Sequence, residues 1–342
     1  MYKCSISLEN FRNFEFFDVE IPESDGVVIR GENGSGKTSL LESIFYLFYG
    51  VSFRDKDVNS LINYNSTYFK IIMKIGEDLF SAYLDRRGNK KVVFNDEEVT
   101  RGSIRQHFVP IYSTGKDNLL DGAYSDRRRI LDKLASLYID GYRKVLSAYE
   151  KIVKHKKQAL LTKDLRLLNA LNEKLYDTYI KIREGRLKVV RQLSFIAKSL
   201  GYENLHFNFV PSLESFCELE SISRVEMEEG HLLKGASHDI LEVTLDDKDL
   251  RKFYSHGEKQ YMWFLLLFEF LRLYSADKAR GVIMLMDEAF SVLDDSRTEG
   301  LLKHVLQRKA NVFYFFTTQR KIQVDLPFIE LGPEYGRVKT ND

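Results

Sequence analysis

Apolar and polar residues alternate with period two along Lys3–Leu8, and a second run of the same kind covers Phe14–Ile21. Such alternation predicts strands with one buried face. Val27–Arg30 is a short apolar run, and Lys70–Ile75, Leu79–Leu84 and Lys91–Phe94 have strand-like content. Gly76-Glu77-Asp78 and Arg87-Gly88-Asn89 separate the latter three as turns. The first 120 or so residues therefore predict a β-rich lobe.

From Ser125 to Leu200 the period changes. This stretch has no proline, and apolar residues recur at spacings of three and four: Leu131, Leu134, Tyr138; Leu146, Tyr149, Ile152, Val153; Leu168, Leu171, Leu175, Tyr179, Ile182; Val189, Leu193, Ile196, Leu200. Long amphipathic helices follow. Thr162-Lys163-Asp164 supplies a break with a capping residue and Gly201 a stop, giving a helical hairpin that serves either as an arm or as a packed helical lobe. The last third returns to α/β. Leu241–Leu245 alternates, Lys259–Tyr274 reads as an apolar helix, and Val282–Met286 and Val312–Phe316 read as buried strands of a parallel sheet. No internal repeat or low-complexity segment interrupts this order.

The formal net charge of +1 predicts no partner, but its distribution is uneven. Asp126–Leu200 carries 19 Lys/Arg against 8 Asp/Glu, whereas Gly201–Leu250 carries 3 against 12. The basic stretch is either a face for a polyanion or a solvated helical surface. Cys4 and Cys217 stand alone, without metal-ligand spacing, so neither a disulfide framework nor a zinc site is implied and a reducing cytosol is expected. The N-terminal stretch lacks the pattern of a signal peptide. The longest apolar run, Tyr261–Phe268, ends at Glu269, short of the roughly 20 residues that a spanning helix needs. A soluble cytoplasmic protein without membrane contact is expected.

The chemistry begins where the Val27–Arg30 run ends. Gly31-Glu32-Asn33-Gly34-Ser35-Gly36-Lys37-Thr38 fulfils every fixed position of a phosphate-binding loop, and Ser39 opens a helix-compatible run. Its glycines let backbone N–H groups crowd a phosphate, Lys37 supplies charge for the β- and γ-phosphates, and Thr38 offers a hydroxyl to Mg²⁺. Some 250 residues on, Val282–Met286 delivers Asp287 to the metal and Glu288 to the attacking water. That separation excludes a small P-loop kinase. Ser255-His256-Gly257-Glu258 precedes the apolar helix by the spacing of an anion-binding helix start, and Ser291-Val292-Leu293-Asp294 follows the acidic pair. ATP and Mg²⁺ are the cofactors expected.

In this order the motifs resemble the RecF family, within the ABC-type group that includes the structural-maintenance-of-chromosomes and Rad-type repair heads. Leu8-x-Asn10-Phe11-Arg12-Asn13-Phe14 looks like the group's opening motif. Gly50-x-Ser52-Phe53-Arg54 and Gly122-x-x-Ser125-Asp126-Arg127-Arg128-Arg129-x-Leu131-Asp132 are similar to RecF stretches, as are Tyr142–Tyr149 and the run through Lys157-Gln158-Ala159-Leu160-Leu161. The resemblance implies an α/β fold, an ABC-type P-loop ATPase head with a mixed sheet and a β-rich N-terminal lobe. Residues 1–124 and 231–342 would form that head, and 125–230 an inserted helical lobe. Two heads would close on ATP as a homodimer, each presenting Ser255, Gly257 and Glu258 to the other's nucleotide, with Asp294 in the dimer loop.

The implied function is a slow ATPase that binds duplex DNA near gaps or single-strand/double-strand junctions. There it would help RecO and a RecR-type mediator load recombinase. DNA-contact candidates are Arg54, Lys151, Lys154, Lys156 and Lys157. Arg12 and Asn13 either touch the nucleotide or organise the first strand, and Thr317 and Thr318, with Gln319, stand where a γ-phosphate switch residue belongs. The chain departs from the family at Thr114-Gly115-Lys116-Asp117 and at Gly235-Ala236-Ser237-His238-Asp239-Ile240, segments tied to DNA and mediator contacts. A competing reading is an ATP-gated protein-interaction scaffold that binds no DNA and recruits a partner through the acidic segment Glu214–Glu229. A transporter's nucleotide-binding subunit is disfavoured by the Ser-Asp-Arg-Arg-Arg stretch, the helical insertion and the missing switch histidine.

Overall fold

The computed structural model describes residues 1–332 except 116, 289 and 309, together with the backbone of 337–339. It divides into two compact units, Met1–Lys116 with Leu271–Asp342, and Asp117–Phe270.

The first unit opens with β1 (Tyr2–Phe11), β2 (Phe14–Ser24), β3 (Gly26–Gly31) and α1 (Lys37–Tyr49). It continues with β4 (Tyr68–Ile75), β5 (Asp78–Asp85), β6 (Lys90–Phe94), β7 (Glu97–Glu98), the short α2 (Arg101–Ile104) and β8 (Phe108–Thr114). The alternating runs become an antiparallel sheet of order β2-β1-β4-β5-β6-β7, in which Ile6 lies opposite both Val19 and Met73. Cys4, Ile6 and Leu8 are buried while Ser5 and Ser7 are not, which is what period two demands of a one-sided sheet.

The second unit contains α3 (Tyr124–Tyr138), α4 (Tyr142–Thr162), α5 (Leu165–Ser199), β9 (Leu205–Val210), α6 (Phe216–Glu229), β10 (Ile240–Leu245), β11 (Lys248–Asp249) and α7 (Leu250–Phe253). The start of α8 (His256–Lys278) also belongs to it. The helical hairpin forms as the periodicity predicts. Lys163 closes α4 in the left-handed region at φ 54°, and the Asp164 carboxylate caps α5 by accepting the Leu167 N–H at 3.0 Å. Asp164→Ala should cost about 1 kcal/mol at this terminus, seen as roughly fivefold faster amide exchange in the first turn of α5.

The unit boundary falls at 117 and 270, not at the expected 125 and 230. β10 pairs with β9 along its whole length, from Ile240 opposite Val210 to Leu245 opposite Leu205. Buried Arg127 donates to the carbonyls of Leu120 at 2.8 Å and Leu241 at 2.7 Å, tying the segments on both sides of the helices to α3. At the centre, Arg186 forms two parallel bonds to Asp132 at 2.8 and 2.9 Å and one to Asp239 at 2.7 Å. Tyr142 and Tyr179 donate their hydroxyls to the same two carboxylates at 2.6 and 2.9 Å.

β12 (Gly281–Asp287), α9 (Asp295–Leu306), β13 (Val312–Thr318), β14 (Phe328–Leu331) and β15 (Arg337–Lys339) complete the first unit. They form a second sheet of order β15-β14-β3-β13-β12-β8, parallel except between β14 and β15. β12 and β13 are buried throughout, which explains their unbroken apolar runs. β8 holds an edge, where Pro110 removes no ladder bond that the sheet needs. One core joins the two sheets through α1, whose Leu40, Leu41, Ile44, Leu47 and Phe48 pack with Ile6, Leu8, Phe69, Ile283 and Phe315. Being enclosed, α1 buries residues all round, Glu42 and Ser43 included.

No helix among the described residues is long and apolar enough to cross a membrane. Both cysteines are free thiols, Cys4 buried and Cys217 exposed.

Candidate nucleotide site

Gly31 ends β3 between β13 and β14, and the chain turns through residues 32–36 into α1. Gly36 is required on two counts. Its φ is 100°, and a Cβ there would lie 2.6 Å from the Phe14 ring and 2.8 Å from Asn13 Nδ2. No side chain caps the α1 N-terminus, so its first-turn N–H groups are left for an anion. Lys37 curls over the loop and donates to the carbonyls of Gly31 and Glu32, both at 2.7 Å. Burial pulls its pKa down, against the opposing pull of Asp287 and Glu288.

β12 carries Asp287 to the same end of the sheet. Its carboxylate accepts from Thr38 Oγ1 at 2.8 Å and from Thr317 Oγ1 at 2.7 Å. The Thr317 hydroxyl in turn accepts the Glu288 N–H at 2.8 Å, so one side chain fixes both acids. Glu288 is exposed and has φ 51°, a conformation costly for a residue with a Cβ. Gly115 makes room for it, since a Cβ at that position would lie 2.7 Å from the Glu288 carbonyl.

Lys37, Thr38, Ser39, Asp287 and Glu288 line a cavity of about 600 Å³, with Asn33, Gly34 and Gly36 of the loop and Arg12, Asn13, Arg54, Tyr64 and Arg86. The donor set fits a Mg²⁺-bound triphosphate. Thr38 and Asp287 offer hard oxygens, while among the described residues no group of three metal-binding side chains could hold an ion unaided. Mg²⁺ commonly takes one or two protein oxygens and completes its shell with phosphate and water.

The remaining candidates separate into those the structure brings to this cavity and those it does not. Arg12 and Asn13 reach it. Thr318 instead accepts the Arg320 N–H at 3.0 Å, and the neighbour that reaches the loop is Gln319, which donates to Asn33 Oδ1 at 2.5 Å. Asp294 caps α9, accepting the Arg297 N–H at 2.8 Å, and that bond first of all holds its carboxyl below the usual range. Arg320, which no motif announced, clamps the same loop through the carbonyls of Phe290 and Leu293 and the Asp295 carboxylate. In the second unit, Ser255 and Glu258 form a reciprocal capping box at the start of α8, with Gly257 in its first turn.

Two of the DNA-contact candidates lie elsewhere than expected. Lys156 is fully buried, 2.7 Å from the equally buried Glu226, and burial lowers its pKa. Charge alone made it look like its neighbours, but it faces Glu226 of α6, and Lys151, Lys154 and Lys157 are the exposed ones. Arg54 stands in the nucleotide cavity, 3.6 Å from Glu42. The Arg-rich motif is only partly outward-facing: Arg127 is enclosed, with its pKa lowered by burial to about 10, Arg128 is half-buried and donates to the Asp239 carbonyl at 2.8 Å, and Arg129 is exposed.

A parallel sheet presenting this loop and acidic pair, joined to an antiparallel sheet and accompanied by a helical unit, defines an ABC-type ATPase head. Residues 4–326 match the family model of the RecF/RecN/SMC N terminal domain, and the chain belongs to that family. Within it the similarity is to RecF. The DNA replication and repair proteins RecF of Staphylococcus aureus strains bovine RF122 / ET3-1 and JH9 are each 27% identical over 351 residues, covering 92% of this chain and 92% of theirs. The fold agrees. The structure of the recombination mediator protein RecF-ATP in the RecFOR pathway superposes with a TM-score of 0.78 at 22% identity, covering 100% of this chain and 98% of that one. A Smc head domain from Pyrococcus furiosus, bound to the C-terminal domain of ScpA, gives 0.53 at 17% identity over 100% and 96%.

Proposed function

We propose that this chain is an ATP-driven DNA-binding switch of recombinational repair. The observation that carries the reading is the convergence of Lys37, Thr38, Asp287 and Glu288 on one cavity, with the buried Thr317 hydroxyl bonded to both acids behind it. Lys37 and the α1 N-terminus would bind the phosphates. Thr38 and Asp287 would hold Mg²⁺, which supplies charge neutralisation and orientation of the phosphate oxygens. Glu288 would position water and accept its proton. ATP would stabilise a homodimer in which each copy offers its Ser255, Gly257 and Glu258 segment to the other's nucleotide, so turnover is slow while the copies are apart. The closed dimer would bind duplex DNA near a gap, with Lys151, Lys154 and Lys157 contacting phosphates, and would engage a RecR-type mediator. The RecF relatives support this reading, as do the exposed lysines of α4.

The test is fluorescence anisotropy of a gapped duplex across a salt series, with and without Mg-ATP. Binding should require ATP and fall by about a thousandfold or more between 50 and 200 mM salt, as expected for six phosphate contacts in a dimer. Lys37→Ala should lose the ATP response. ATP-driven dimerisation without DNA binding would instead favour a protein-recruiting scaffold, with exposed acidic residues of α6 as its contact surface.

A further inference from the structure

Glu42 stands one and a half turns into α1, with its side chain wholly removed from solvent. A carboxylate so placed is costly unless paired and hydrogen-bonded. Its partners all come from segments that line the nucleotide cavity. Arg12 donates Nε to Oε2 at 2.9 Å and Nη2 to Oε1 at 2.8 Å, a parallel two-bond pairing. Arg12 Nη1 donates to the Ser60 carbonyl at 3.0 Å, and the Arg12 main chain, at φ 54°, is held by Leu61 and Asn63.

The other partners sit on the loop that follows α1. Ser52 donates its hydroxyl to Glu42 Oε1 and accepts the N–H groups of Arg54 and Asp55 at 2.8 and 2.9 Å. Phe53 stacks on Tyr112 with ring centroids 3.6 Å apart and packs edge-on against Phe45. Arg54 itself, 47% exposed, touches Glu42 only through an ion pair at 3.6 Å. One buried acid thus grips two arginines unequally. Arg12 uses three of its nitrogens and is fixed, while Arg54 has an anchored backbone and a weakly held guanidinium.

We propose that Glu42 is a positioning residue for triphosphate binding: it locks Arg12 against the cavity wall and shapes the Ser52–Asp55 loop so that Arg54 can move from the carboxylate to a bound phosphate. Glu42 touches no ligand itself and acts through the two guanidinium groups. The inference rests on the nucleotide reading of the cavity. It also accounts for the Gly50-x-Ser52-Phe53-Arg54 stretch. Gly50 ends α1 in the left-handed region at φ 68°, Ser52 links the loop to Glu42, Phe53 wedges the loop against β8, and Arg54 is what the loop presents.

The sign of the expected effect separates positioning from charge. Removing a negative group from the cavity wall should tighten binding of a polyanion if charge alone mattered. With Glu42→Gln, we expect Mg-ATP affinity to weaken tenfold or more by isothermal titration. Arg12→Ala and Glu42→Gln combined should lose little more than either alone, because both break one unit. Ser52→Ala should weaken binding by a smaller factor, and only while Arg54 is present. Thermal melts of the ligand-free variants check that the fold survives. Should Glu42→Gln not fold, Arg12→Lys keeps the charge without the two-bond fork and should still weaken ATP binding. Unchanged or tighter binding by Glu42→Gln, additive losses in the double variant, or unchanged affinity of Arg12→Lys would each overturn the proposal. A wild-type chain that binds no Mg-ATP would instead refute the nucleotide reading beneath it.

Discussion

Glu288→Gln should lower the steady-state rate of phosphate release by about a hundredfold to ten-thousandfold, the span typical of removing a general base. ATP affinity should stay within about threefold, because the substitution keeps the side chain's shape and Glu288 makes its fixed contact through the backbone N–H to Thr317, not through the carboxylate. The positive φ at Glu288 is retained too, since glutamine meets the same steric cost at 51° as glutamate. With hydrolysis stalled and binding intact, sedimentation in Mg-ATP should show the dimer accumulating. Turnover at the wild-type rate would remove Glu288 from the reaction. Lost ATP binding would mean that its carboxylate supports the loop and not the chemistry. A stalled dimer that binds gapped duplex, beside one that does not, distinguishes the DNA switch from the scaffold.

The parts of this site that were legible in the sequence are those where chemistry fixes both residue type and local spacing. A phosphate loop needs glycine where φ is positive, and Gly36 occupies such a position against Phe14. A buried parallel strand needs apolar residues on both faces, and β12 supplies them until Asp287 emerges at its end. Period two and period 3.6 likewise gave the antiparallel sheet and the helical hairpin, including the turn at Lys163 and Asp164.

What escaped was set by long-range pairing. Lys156 lies at the centre of the stripe that Tyr149, Ile152, Val153 and Leu160 mark at spacings of three and four, which sets it apart from Lys157, but its charge argued for solvent. The docking of α6, which brings Glu226 against it, is what lets this lysine be internal. Glu42 was hidden by long-range pairing, as an acid in a mostly apolar helix whose partners lie 30 residues before it and 10 after. The second unit boundary was missed because β9 and β10, separated by some 30 residues including α6, become one ladder only in three dimensions. The segment Gly235–Ile240 takes part in the same kind of long-range pairing. Its Asp239 carboxylate is the one that Arg186 and Tyr179 reach.

Arg186→Ala should therefore destabilise the second unit by about 3–5 kcal/mol, the cost of leaving buried charge without its counterion. The loss is larger than that of a surface pair because the guanidinium serves two carboxylates and the Ala236 carbonyl, at 2.6 Å, at once. Burial opposes the charge on Arg186, yet the Asp132 hydrogen bonds and the charges of Asp132 and Asp239 hold its pKa above the ordinary arginine value. The folded state thus depends on the cation. Without it, Asp132 keeps Tyr142, and Asp239 keeps Tyr179 and the Ser212 N–H, but neither keeps a directly bonded opposite charge, since Arg128 reaches the Asp239 carbonyl and acts on the two carboxylates only from a distance. Arg186→Lys should recover only part of the loss, since an ammonium cannot span Asp132 in two parallel bonds and reach Asp239 as well. Urea unfolding followed by amide exchange in α5 reads the effect where it arises. A change below about 1 kcal/mol, the scale of an exposed pair, would mean that the hydroxyl and amide donors alone sustain the two carboxylates. Full rescue by lysine would mean that charge, not the planar fork, is what this centre needs.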